Sequence, residues 1–224
     1  MSKIVSTYYF ETGGEQNTDK VLEVAKVRAL ERGVKHVVVA STRGGTGVKF
    51  AEAFRDTGIK VVVVTHQTGH RGAGVQLLTD ENRKRLEELG ATIVTGSDAF
   101  TGGVGLGITR RQTTEATRPS PETRSLINTM RRMIPTIPPV VTIVASVLRL
   151  FCAGVKVAVE VTLMAADAGV IPVNQDVVAI AGSLRGADTA LLIRPANTTN
   201  FLDLDIHEII AKPFTKDLPR TSAR

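Results

Sequence analysis

Aromatic residues are scarce: the 224-residue chain has no tryptophan, two tyrosines and seven phenylalanines. The interior must therefore be built from Val, Ile, Leu and Ala, and the aromatic platforms on which single-stranded nucleic acids stack are missing. The lone cysteine, Cys152, excludes an intramolecular disulfide and a cysteine-built zinc site. Its apolar surroundings predict a buried structural thiol rather than a nucleophile. The stretch MSKIVSTYYFETGG lacks the apolar core of a signal peptide. The most hydrophobic region, 134–148, is interrupted by Pro135, Pro138 and Pro139 and falls short of the ~20 residues of a spanning helix. A cytoplasmic protein that makes no use of a membrane is the expectation.

Charge is present but not patterned. The net charge of +6 suits anionic ligands, yet Lys and Arg are scattered, with small clusters at Arg83-Lys84-Arg85, Arg110-Arg111 and Arg131-Arg132. Nucleic-acid binding calls for a basic stripe with interleaved aromatics, and neither is there.

Apolar runs at 36–40, 59–64 and 91–95 read as buried strands, with two more at 176–181 and 189–194. Between them lie helix patterns at 18–33, 46–57 and 79–89. Thr18 and Thr79 stand where N-caps are wanted, and Gly33 where a helix should stop. Continuous apolar strands alternating with helices predict a three-layer α/β/α fold around a mostly parallel sheet of five or six strands. A single domain over 1–211 and a basic arm over 212–224 are expected. Residues 95–118 read as a long Gly/Thr-rich loop and 120–134 as helical. A long apolar helix is then predicted over 139–168. Arg149, Lys156, Glu160 and Asp167 fall on one stripe of that helix, facing solvent or a pocket, with solvent the plainer expectation.

The most informative segment is Ser41-Thr42-Arg43-Gly44-Gly45-Thr46-Gly47, between an apolar strand and a helix. The first N–H groups of a helix have no intrahelical partner and its dipole favours negative charge, so a Gly/Thr loop there is a natural phosphate seat. No Gly-Lys-Ser/Thr follows, which argues against a nucleoside triphosphatase. The GxGxxG fingerprint is absent, and Thr65 stands where a dinucleotide fold would carry an acid.

Further polar loops follow the later strands: one after Thr65-His66, one after Thr95-Gly96, and one from Gly182 to Asp188. In a parallel sheet they would gather at the C-terminal edge, where ligands bind. His66 and His70 serve there as hydrogen-bonding or acid–base groups; with no further ligand evident, no metal is expected. Asp98 and Asp188 either orient a ligand or stabilise turns.

The segment from His36 to Ala51 resembles the strand–loop–helix of the pyruvate kinase C-terminal domain, whose loop binds an allosteric sugar phosphate. Asp176–Gly182 and Thr189–Ile193 fit the same order of elements. Over nearly the whole chain the likeness is closer to stand-alone, mostly archaeal proteins with a pyruvate kinase α/β-like domain. It rests on Tyr9-Phe10, Asn17-Thr18, Gly154–Glu160, Ala165–Gly169 and Gly186–Ala190; the proline-interrupted Met133–Val141 departs from the pattern. The resemblance implies the fold and a phosphate loop without kinase activity. It also implies flavin mononucleotide (FMN) as cofactor, with its phosphate at Thr42–Gly47 assisted by Ser41 and Arg43. The rest of the cofactor would reach Thr65, His66, Thr95, Gly96, Gly182 and Asp188. An FMN-dependent oxidoreductase and a regulatory module sensing a sugar phosphate or nucleotide are the alternatives. The apolar long helix further suggests a homo-oligomer.

Overall fold

A computed structural model describes residues 4–100 and 139–215. Seven strands form one mixed sheet: β1 (Tyr8–Phe10), β2 (His36–Ala40), β3 (Lys60–His66), β4 (Thr92–Gly96), β5 (Val177–Ala181), β6 (Thr189–Arg194) and β7 (Asp205–Pro213). Their order is β1-β7-β6-β5-β2-β3-β4. Strands β5, β2, β3 and β4 run parallel, as do β1 and β7, while β6 is antiparallel to both its neighbours.

The sheet is thus larger than the five or six strands expected, and more mixed. The loop 182–188 is too short for a crossover, so β6 must return antiparallel. Strand β7 went unread because Asp205, His207 and Glu208 interrupt its apolar pattern; its first half is exposed or half-buried, and only Ile210–Pro213 are buried. It continues through Lys212 and Pro213, residues that the sequence had given to the arm.

Alternation along the strands splits the core in two. Val37, Val39, Val61, Val63, Val178 and Ile180 face a layer of α1 (Thr18–Arg32), α2 (Gly45–Phe54) and α3 (Asp80–Glu88), where Val21, Phe50, Phe54 and Leu86 are fully buried or nearly so. Val38, Val62, Val64, Val177 and Ala179 face α5 (Ala153–Asp167). Both faces are covered, as their continuous apolar runs require. Gly33 closes α1 in the left-handed conformation, and the Thr79 hydroxyl caps α3 by accepting the Asn82 N–H. Thr18 is not a cap: it is the first residue of α1, and its hydroxyl accepts the N–H of Ala187.

The single long helix expected over 139–168 is two. Helix α4 (Val140–Leu148) ends in a turn at Arg149–Phe151, and α5 restarts after Cys152, whose extended backbone breaks the ladder and whose sulfur accepts the Val155 N–H. Any side chain at Gly154 would overlap Thr189, so the restart is set by close packing of α5 on β6. Cys152 is buried, as its context predicted. Among the described residues no helix is long and apolar enough to cross a membrane. The expected loop beyond Phe100, the helix over 120–134 and most of the basic arm lie outside the described residues.

Candidate functional site

The parallel strands bring four loops to one edge of the sheet: 41–44 after β2, 67–79 after β3, the segment after Gly96, and 182–188 after β5. At β2 the strand order reverses, since β3 lies on one side and β5 on the other; such a point opens a crevice at the carboxyl ends.

The loop after β2 is held rigidly. Ser41 is buried and its hydroxyl accepts the Gly47 N–H at 3.1 Å. Thr65 donates its hydroxyl to the Thr42 carbonyl at 3.1 Å, and Asn82 donates to the Arg43 carbonyl at 2.9 Å. Gly44, the N-cap of α2, has φ 99°, and a Cβ there would lie 2.5 Å from that of Asn82. Only glycine serves at that position. By contrast a Cβ on Gly45 meets nothing within 4 Å. The first-turn N–H groups of Gly45 and Thr46 have no protein acceptor among the described residues. Ser41 and Gly47 therefore shape the loop by bonding each other, whereas the Gly45 and Thr46 N–H groups are left without a protein acceptor among the described residues. Thr42 and Arg43 are exposed beside them.

Through Thr65 this loop connects to a second group. His66, the last residue of β3, meets Asp98 from the segment after β4, with Nδ1 and Oδ1 3.0 Å apart. His70 stacks on His66 with ring centroids 4.1 Å apart and planes 15° from parallel. Bonds within the loop fix its course: the N–H of His70 donates to Gln67 and that of Gly69 to Val75. Partial burial opposes ionisation of Asp98, but the bond from His66 and the charges of His66, Lys156 and His70 outweigh it, so its carboxyl titrates below the ordinary range. Thr95 and Gly96 pair in register with Thr65 and His66, placing all four on adjacent strand ends.

Beneath this group lies a feature that the sequence reading set toward solvent. Lys156 and Glu160 are 3% and 4% exposed and form an ion pair within α5. The second Glu160 oxygen accepts the Phe100 N–H at 2.9 Å, and the Phe100 ring lies edge-on to Phe201. The segment after β4 roofs the middle of α5, which is why only Arg149 and Asp167 of the stripe remain exposed.

Asp188 sits apart from the cleft surface. It is 0% exposed, and its oxygens accept the Gly14 and Ser183 N–H groups and the Thr189 hydroxyl. Of the two roles open to it, the structure shows the turn-stabilising one. Gly182 packs against the Gly186 carbonyl within the same turn. Within the loop 182–188, Ala187 and Asp188 are buried and Leu184 and Arg185 exposed. Sequence reasoning missed the pairing of Asp98 with the histidines, because 32 residues separate it from His66 and only strand order brings them together.

No family model matches the chain.

Proposed function

We propose that this protein binds a phosphorylated small molecule, FMN, with its phosphate on the Gly45 and Thr46 N–H groups. The observation that carries this reading is that the Gly45 and Thr46 N–H groups at the start of α2 have no protein acceptor among the described residues, beside the exposed Thr42 and Arg43. Thr42 and Arg43 are placed to add a hydroxyl and a positive charge, and the net charge of +6 favours an anionic ligand. The ribityl chain and ring then extend along the loops that follow Thr65-His66 and Thr95-Gly96. FMN, rather than another phosphate ester, rests on the resemblance of Tyr9-Phe10, Asn17-Thr18, Gly154–Glu160, Ala165–Gly169 and Gly186–Ala190 to the stand-alone pyruvate kinase α/β-like proteins. A bound flavin supplies hydride and electron transfer; the chain's part is to hold the phosphate and orient the ring.

The test is titration of the flavin-free protein with FMN and with riboflavin, followed by flavin fluorescence. Saturable FMN binding with riboflavin at least tenfold weaker supports the reading; equal affinities remove the phosphate seat from it.

A homo-oligomer belongs to the same proposal. Val140, Val141, Ile143 and Val147 of α4, with Leu150 and Phe151 after it, are all at least 43% exposed. An apolar strip of that kind is commonly covered by another chain.

A further inference from the structure

We propose that His66, His70 and Asp98 form a binding site for a divalent transition-metal ion of the zinc class. Each residue offers one ligand atom, and these atoms lie within 4.8 Å of one another. Two imidazoles and one carboxylate are a donor set for Zn2+ and similar ions, and leave coordination positions open for water or an anionic oxygen. Neighbouring donors on such an ion stand about 3.0–3.4 Å apart, given metal–ligand bonds near 2.1 Å. The His66–Asp98 pair, at 3.0 Å, already has that spacing. The remaining adjustment is a swing of the His70 ring off its stack on His66.

The surroundings suit a cation. All three residues are half-buried, so the ligands are anchored while an ion still has access. Bonds within 67–78, including Gln76 to Thr68 and the Leu78 N–H to Gln76, give His70 a fixed backbone from which to reach the ion.

This site does not depend on the flavin reading, and either proposal can fail without the other. The experiment is calorimetric titration of the chelator-treated full chain with Zn2+, repeated with Co2+ to read coordination from visible absorption. A single Zn2+ per chain is expected, with affinity lowered more than tenfold in both His70→Gln and Asp98→Asn and unchanged in His207→Gln. Thermal melts of the variants confirm that they remain folded. Absence of stoichiometric binding by the wild-type chain would overturn the proposal, as would binding insensitive to both ligand substitutions or abolished by His207→Gln.

Discussion

Glu160 bonds in two directions at once: one carboxylate oxygen pairs with Lys156 a turn earlier on α5, and the other accepts the Phe100 N–H at 2.9 Å. Removing one partner of a buried pair strands the other's charge, at a cost of about 3–5 kcal/mol. Glu160→Ala should therefore destabilise the fold by about that amount in urea denaturation. The double replacement Lys156→Met with Glu160→Leu should cost clearly less, because no charge is left buried. Equal losses in the two proteins would mean that the pair is not buried as described.

The two glycines at the start of α2 should behave oppositely. Gly44→Ala forces a Cβ into Asn82 and Leu78 at a left-handed backbone position and should lower stability by about 1–3 kcal/mol. Gly45→Asp meets open space and puts a carboxylate where a phosphate would sit. Its melting temperature should stay within a few degrees of wild type while FMN binding is lost. Unchanged FMN affinity in Gly45→Asp would remove this loop from the binding site.

Asp188 should matter to stability. Asp188→Ala leaves the half-buried Gly14 and Ser183 N–H groups and the Thr189 hydroxyl without their acceptor, a loss of about 2 kcal/mol. Denaturation of the variant checks this, and a loss below about 1 kcal/mol would contradict the clamp.

The Asp98 carboxyl gives the fold a signed dependence on pH. Its folded-state pKa is depressed, so the stability it contributes is present above the unfolded value of about 3.9 and is lost as pH falls through the lower folded value. Compared in urea from about pH 6 to about pH 3, Asp98→Asn should be less stable than wild type at the upper end and converge on it at the lower. A constant difference across that range would contradict the sign.

The apolar strip on α4 makes its own prediction. Light scattering should give a mass above that of one chain, and Val147→Glu should reduce it. A monomeric wild-type protein would contradict the oligomer proposal.

Much of this architecture was legible in the sequence because the signals were local. The strand His36–Ala40, the Thr79 cap and the Gly33 stop each depend on a few neighbouring residues; the antiparallel return of β6, implied by the short loop before it, ran against the parallel sheet expected. Strand β7 was not legible, since half of it is exposed and carries Asp205, His207 and Glu208. Nor was the break at Cys152, which follows from the approach of Gly154 to Thr189 across the fold. The strand–loop–helix turn at 41–47 could be read from its glycines and apolar flanks, but its internal bonding could not: the bond between Ser41 and Gly47 leaves the unpaired first-turn donors to Gly45 and Thr46 among the described residues. The meeting of His66, His70 and Asp98 and the burial of Lys156 with Glu160 arise from strand order and from the Phe100 roof, which no periodicity in the chain encodes.

A flavin seated by its phosphate at this edge should show in the visible spectrum of the purified protein and of the supernatant after heat denaturation, with FMN added where no colour is present. The expected result is flavin absorbance that is released as FMN, or that appears on addition and stays with the protein through gel filtration. A colourless protein that fails to retain added FMN would contradict it.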